Sequence, residues 1–309
     1  MEPQKKVSIV LSLFNERENV ETLFTRIKEV IFPLPYRFEL IFTDDGSTDE
    51  TAEMIRKLGG EKNGEPTIRL ISLSRNFGHE AAMMAGIDHA SGDAVICMDA
   101  DLQHPPEKIP DILEAFENGK DIVLMVRSKN QGASMGSGWL SSAFYKVLNG
   151  LSADHIRGNA SDFFLISGKI AAILRKDYRE RHRFLRGIIQ VVGFPSSSLS
   201  YVAPARFSGK SNYTFRKLSG LSLTAITTFS KAPLFLGIWF GFIFSLLSLI
   251  LGLYSLYTYF FGATPPSGYT TIVLFMSISF AILFFLVGII GIYVGYLFDE
   301  QKNRPLYLV

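Results

Sequence analysis

The run Ala94-Val-Ile-Cys-Met-Asp-Ala-Asp-Leu-Gln-His-Pro-Pro106 decides the fold. Five unbroken apolar residues read as a strand buried on both faces, the kind found inside parallel sheets. Two carboxylates follow at once, and Pro105-Pro106 stops any continuation of the ladder. The same grammar repeats on either side. Lys6 to Phe14, Phe38 to Thr43, Ile68 to Leu73 and Asp121 to Val126 are further strand-like runs. Helical periodicity separates them: Asn15 to Ile31, with Val20, Leu23, Phe24, Ile27, Val30 and Ile31 on one face and Pro33 as the stop, then about Ser47 to Leu58, Phe77 to Ala90 and Glu107 to Asn118. This alternation predicts an α/β domain with a mostly parallel sheet. Such sheets bind ligands beyond the carboxyl ends of their strands. The polar clusters fall there: Asn15-Glu16, Asp44-Asp45, Arg75-Asn76, Asp99-Ala-Asp101 and Arg127.

Residues two apart in an extended segment point the same way, so Asp99 and Asp101 can face one cation. A few hard oxygen ligands suit Mg²⁺ or Mn²⁺ completed by phosphate oxygens and water, and Gln103 continues the spacing. A surface turn is the plainer alternative. In Asp44-Asp-Gly-Ser-Thr-Asp49, Gly46 permits a sharp turn and Ser47 or Thr48 can cap the next helix. Both aspartates can serve the turn, or one can accept the N–H of a nucleobase while the other holds the loop; the segment leaves both open. No G-x-G-x-x-G follows the first strand and no Walker loop occurs, which argues against dinucleotide redox chemistry and P-loop hydrolysis. His79-Glu80 lacks the second His of a zinc protease, and no Cys/His cluster can hold zinc.

With 31 basic and 29 acidic side chains, the 309-residue chain has a net charge of only +2, which excludes a partner chosen by bulk charge, nucleic acid included. The charges are unevenly spread. Beyond Lys231 only Asp299, Glu300, Lys302 and Arg304 are charged, and Ala232 to Phe298 carries none. Two spans are predicted, about 233–257 and 270–297, each above the ~20 residues that cross a bilayer core. A Pro/Gly turn lies between them, with Tyr254, Tyr257, Tyr259 and Tyr269 at one interface and Tyr293 and Tyr296 at the other. Basic residues flank only the outer ends (Arg206, Lys210, Arg216, Lys217 and Lys231 before, Lys302 and Arg304 after), so both termini are expected in the cytoplasm and the hairpin tip outside. The single cysteine, Cys97, excludes an internal disulfide and fits a reducing compartment. The apolar run from Val7 to Phe14 is too short for a signal-peptide core. No ionisable group lies in the spans, which speaks against a transport pathway. Small residues (Gly237, Gly241, Ser245, Ser248, Gly252; Gly288, Gly291, Gly295) allow close helix contact, within the hairpin or in a homo-oligomer.

Five segments in order complete a resemblance: Ser12-Leu-Phe-Asn-Glu16, Asp44-Asp-Gly-Ser-Thr-Asp49, Arg75-Asn-Phe-Gly-His-Glu80, Asp99-Ala-Asp-Leu-Gln-His-Pro-Pro-Glu107 and Arg206-Phe-Ser-Gly-Lys-Ser-Asn-Tyr213. The chain resembles the polyprenyl-phosphate glycosyltransferases of glycosyltransferase family 2, the class of bactoprenol glucosyltransferases and dolichyl-phosphate mannose synthases. The resemblance spans essentially the whole chain, including the ending Lys302-Asn-Arg-Pro-Leu-Tyr-Leu308. It implies a Rossmann-like GT-A domain over residues 1–205 with interface helices, Trp139 to Lys146 matching one, an interfacial segment over 206–231, a transmembrane hairpin within 232–298 and a cytoplasmic tail over 299–309. It further implies a nucleotide-sugar pocket from Ser12, Phe14, Glu16, Asp44, Asp45 and Asp99, and a divalent metal, Mg²⁺ or Mn²⁺, on Asp99, Asp101 and Gln103. Arg127, Arg206 and Lys210 match the family's phosphate contacts, with Ser141 for the lipid phosphate. Asp162 matches a position proposed as catalytic base.

The implied donor is a UDP-sugar, UDP-glucose foremost, with GDP-mannose as the alternative; the implied acceptor is a polyprenyl phosphate such as undecaprenyl phosphate. A phosphate monoester with a second pKa near ~6 is largely a dianion at neutral pH. It needs no base to attack an anomeric carbon, so Asp162 is either a base or a positioning group. One in-line displacement inverts the anomeric centre. Arg175 to Arg186 is a basic run expected to face anionic headgroups, with Trp139, Phe144, Tyr145 and Phe215 dipping into the interface. A processive synthase is disfavoured, since no Q-x-x-R-W occurs. A non-catalytic scaffold or flippase subunit is the rival outside chemistry.

Overall fold

The computed structural model describes residues 4–59, 66–130, 160–181, 183–204, 232–261 and 268–309. Seven strands form one sheet: β1 (Lys6–Leu13), β2 (Arg37–Asp44), β3 (Thr67–Ser72), β4 (Ala94–Asp99), β5 (Ile122–Asn130), β6 (Ala160–Ser167) and β7 (Ser196–Ala203). Their order is β3-β2-β1-β4-β6-β5-β7. Neighbours run parallel except β6, which is antiparallel to both β4 and β5. The five predicted strands are present. β6 and β7 were not predicted, and β6 separates β4 from β5, which the alternation alone would have made neighbours.

Helices cover both faces: α1 (Arg17–Ile31), α2 (Thr51–Gly59), α3 (His79–His89), α4 (Ile109–Glu117), α5 (Gly168–Asp177) and α6 (Leu185–Val191). Period-two alternation divides the core. Ile9, Leu11, Leu40, Phe42, Ile96 and Met98 pack with α1 and α4, while Val10, Ile41, Val95 and Cys97 pack with α3, α5 and α6. Helix α3 lies so close to β1 that a Cβ on Gly86 would stand 2.1 Å from Val10 Cγ1. That close seating fixes the start of α3, and with it His79, over the carboxyl end of the sheet.

Helices α7 (Ala232–Phe261) and α8 (Tyr269–Gln301) overrun the two predicted spans by a few residues. Each holds a stretch long and apolar enough to cross a membrane, with mean hydropathy 2.5 and 2.8. They touch through Gly237 against Leu286 and Phe244 against Phe275. Gly241, Gly252, Gly288, Gly291 and Gly295 face open space instead, so of the span glycines only Gly237 serves the hairpin contact.

Candidate active site

Two loops at the carboxyl end of the sheet are tied together. Asn15, at φ +55, donates its N–H to Ser47 Oγ (2.9 Å) and accepts from Thr48 N–H at Oδ1 (2.9 Å). The Glu16 amide donates to Thr51 Oγ1 (3.1 Å), while the Glu16 carboxylate accepts from Asn19 Nδ2. The predicted start of the second helix at Ser47 is therefore spent on turn bonds, and α2 begins at Thr51. Asp44 accepts from Ser47 N–H with Oδ1 (3.1 Å). Asp45 is buried and spends both oxygens on the next loop, accepting from Phe77 N–H (2.7 Å) and Gly78 N–H (2.9 Å). Of the pair, Asp45 is thus the loop holder. Gly46 has φ +71, and a Cβ there would lie 2.5 Å from Arg75 carbonyl carbon, so no other residue fits without moving the Arg75-Asn76 backbone. Phe14 stands exposed, next to Leu13 at the end of β1.

Asp99 closes β4 beside Ser12 of β1 in the parallel register. In the antiparallel ladder Cys97 pairs with Phe164, and continuing it by two residues sets Asp162 across from Asp99. His79 stands between them: Nε2 lies 3.4 Å from Asp99 Oδ1 and 3.5 Å from Asp162 Oδ2. Burial would lower its pKa, but Asp99 and Asp162 push it up to about 10 and hold it as imidazolium. Nδ1 approaches Ser12 Oγ (3.2 Å), whose hydroxyl donates to Asp99 Oδ1 (3.4 Å). Arg186, on α6, donates to Asp162 Oδ2 at 2.6 Å. Burial alone would raise the Asp162 carboxyl; Arg186 and His79 hold it well below the usual carboxylate range. Glu80 lies behind, accepting from Leu185 N–H (2.9 Å), with burial and Asp162 both raising its pKa.

On the other side His104 is fully buried, stacked on Phe163 at 5.3 Å. Its Nδ1 accepts the Asp99 N–H (2.9 Å), and burial keeps it neutral, so the proton sits on Nε2. The 3.4 Å approach of Arg127 to that nitrogen is consequently a contact between two donors. Arg127 is held by Tyr201, its Nε donating to the phenol oxygen at 3.0 Å.

The sites expected from the sequence divide accordingly. Ser12, Phe14, Glu16, Asp44, Asp45, Asp99, Asp101, Gln103, Arg127 and Asp162 are described; Ser141, Arg206 and Lys210 lie outside the described residues, as do Trp139, Phe144, Tyr145 and Phe215. Asp101 accepts the Gln103 N–H (3.1 Å) in a turn where Leu102 has φ +62. Among the described residues the group able to hold a metal is His79, Asp99 and Asp162, whose donor atoms lie within 4.8 Å of one another. It shares Asp99 with the expected set. His79 Nε2 is shielded from solvent and has no hydrogen-bond partner of good geometry. Once His79 gives up its proton, its nitrogen and the two carboxylate oxygens fit Mn²⁺ more readily than Mg²⁺, which prefers oxygen alone, with remaining positions for phosphate and water. His79, His104, Arg186 and Tyr201 were not read as site residues from the sequence. The two histidines lay inside quoted segments, one at the start of α3 and one in the loop after β4, and that placement was the available signal.

A parallel-dominated sheet with one reversed strand, carrying an aspartate pair at the carboxyl ends, defines a glycosyltransferase of GT-A type. The solved glucosyl-3-phosphoglycerate synthase of Mycobacterium tuberculosis, in complex with Mn²⁺, UDP and phosphoglyceric acid, shares this fold, with TM-score 0.51 and 18% identity over 72% of this chain and 77% of that one. Residues 8–181 match the profile of Glycosyl transferase family 2, and the chain belongs to that family. It is 34% identical over 304 residues to the SfII prophage-derived bactoprenol glucosyl transferase of Shigella flexneri, covering 98% of this chain and 97% of that protein. It is 33% identical over 302 residues to the uncharacterized glycosyltransferase YkcC of Bacillus subtilis, covering 98% and 92%.

Proposed function

We propose that this glycosyltransferase moves a hexose, glucose from UDP-glucose foremost, onto a polyprenyl phosphate such as undecaprenyl phosphate, with inversion, at the cytoplasmic membrane face. What carries the reading is the gathering of Asp99, Asp162 and His79 between the Asp44-Asp45 loops and Arg127, in a chain alike over nearly its whole length to a bactoprenol glucosyl transferase. Ser12, Phe14, Glu16 and Asp44 bind the nucleotide: Phe14 offers a ring to the base, and Asp44 has a carboxylate oxygen left over from its turn bond. Asp45 acts one step back, by holding the Phe77-Gly78 loop.

Asp99, with His79 and Asp162 or with Asp101 and Gln103, would hold the divalent ion. When bound it supplies positive charge to the departing nucleoside diphosphate. Arg127, with Arg206, Lys210 and Ser141, receives the acceptor phosphate, whose dianion attacks without giving up a proton. Asp162 is then a positioning group: a carboxylate bonded to Arg186 at 2.6 Å and held well below its ordinary pKa is a poor base. The two apolar helices span the membrane with both termini inside, keeping the domain where the lipid phosphate emerges. Transfer of labelled glucose from UDP-glucose to undecaprenyl phosphate, with and without EDTA, tests the proposal. A β-linked, EDTA-sensitive product is expected. Retained configuration sinks the single displacement, and failure with every nucleotide sugar returns the scaffold reading.

A further inference from the structure

We infer that the C-terminal tail beyond α8 is a positioning element of the donor pocket, acting through Tyr307 and Leu308 on the loop between β3 and α3. The inference rests on the proposed nucleotide site at Asp44, whose neighbour Asp45 is bonded to that loop. After α8 the chain turns at Asn303, φ +44, and comes back onto the soluble domain. Glu300 Oε1 accepts the Arg181 N–H (2.6 Å), pinning the end of the membrane helix. Tyr307 packs against the α3 side of the core and donates its hydroxyl to Asp88 Oδ2 (2.7 Å), the same carboxylate that Arg179 grips at 2.8 and 2.9 Å. Leu308 carbonyl oxygen then accepts the Ser74 N–H at 2.8 Å.

Ser74 opens the loop that ends in His79. Its neighbour Leu73 donates its N–H to the Asp44 carbonyl (2.8 Å), and Arg75 lies over the Phe77 ring at 4.1 Å. The far side of the loop is held by Asp45 through Phe77 and Gly78. The loop is thus clamped twice, by Asp45 at Phe77 and Gly78 and by the tail at Ser74. The outer clamp is continuous with the second apolar helix. The seating of the hairpin is thereby linked to the backbone that carries His79 toward Asp99, and Tyr307 is a positioning residue, not a catalytic one.

The test uses the full chain in detergent, as wild type, Tyr307→Phe, Tyr307→Ala and a form lacking residues 305–309. UDP-glucose binding, KM and kcat with undecaprenyl phosphate, and hydrogen exchange at Ser74 to Gly78 are measured. Tyr307→Ala and the shortened form should raise the UDP-glucose Kd and KM about fivefold to tenfold, the loss of one or two ordinary hydrogen bonds, with kcat and the lipid KM within about twofold. Exchange should quicken at the loop and not across β1 and β4. Tyr307→Phe, which loses the bond to Asp88 but keeps the ring packed on the core, should fall between wild type and Tyr307→Ala. Unchanged donor affinity in the shortened form overturns the inference, and so does a parallel fall of every parameter with global loss of exchange protection. A wild type that binds no UDP-glucose overturns the donor reading itself, and the inference with it.

Discussion

Glu39 supplies a prediction whose size can be worked from its surroundings. It lies on β2 at the end of the sheet away from the site, 2% exposed, paired with Lys6 at 2.7 Å and accepting from Ser8 Oγ and from Ser91 N–H (2.8 Å). Burial works to raise its pKa, but the bonds from Lys6, Ser8 and Ser91 win and bring it from the ordinary 4.5 to about 2. A folded-state pKa below the unfolded one contributes stability that is complete above about pH 5 and drains away as pH falls toward the folded value. That lowering corresponds to about 3 kcal/mol at neutral pH, and integration leaves about 2 kcal/mol at about pH 3.5. Glu39→Gln removes the titration and keeps the shape. The buried thiol of Cys97 reports opening of the soluble domain, so its modification by a pyridyl disulfide, which works in acid as well as at neutral pH, measures stability in the intact detergent-solubilised chain. The ratio of opening constants, variant over wild type, should shrink about tenfold from pH 7 to about pH 3.5. A ratio that stays flat over that interval refutes the assignment of the network to an ionised Glu39.

Four further outcomes are expected of the site. Asp99→Asn should lower kcat by about a hundredfold or more, as loss of a group that organises charge at a reacting centre does, and should abolish any stimulation by Mn²⁺, seen in a metal titration of initial rates. Gly46→Ala combines a left-handed φ with a 2.5 Å clash against Arg75; about 1 to 3 kcal/mol of stability should go, with a raised UDP-glucose KM, read by thermal unfolding and donor titration. Arg186→Met takes the cation from Asp162, whose pKa must then rise; the acid limb of the kcat profile should move to higher pH, and an unmoved limb counts against the pair. Arg127→Gln should raise the KM for the lipid phosphate about tenfold or more while leaving UDP-glucose binding as it was, checked by equilibrium titration.

The first half of the fold was legible because its strands are apolar runs and α1 is a periodic helix, signals that local sequence carries by itself. β7 was not, because Ser196 to Ser200 is serine-rich and exposed on alternate residues, an edge pattern with few apolar side chains to announce it. β6 was hidden for a different reason. Its eight residues are buried throughout, but nothing in a single strand says that it runs backward between β4 and β5. That reversal is what carries Asp162 to Asp99, so the candidate centre is a property of topology rather than of spacing. Asp99 could be read from its strand; His79 and Arg186 acquire their roles only when α3 and α6 bring them to the same carboxylates.

The charges at this centre also separate two arginines that a sequence treats alike. Arg186 is neutralised where it stands, by Asp162 at 2.6 Å, and an incoming phosphate would have to compete with a buried carboxylate for it. Arg127 is fixed by a phenol and touches a neutral imidazole, and it forms no ion pair among the described residues, so its charge is oriented but unspent. In the proposed reaction two negative reactants would repel unless cations stood by them, and a guanidinium held in place by neutral partners would meet that need at the least cost in reorganisation. The same reasoning explains why His104 must stay uncharged. Protonated, it would add a second cation against Arg127 and give up the Asp99 N–H that it accepts, loosening the end of β4. Burial against Phe163 and Tyr201 keeps it neutral, and so leaves the aspartate in place with Arg127 beside it.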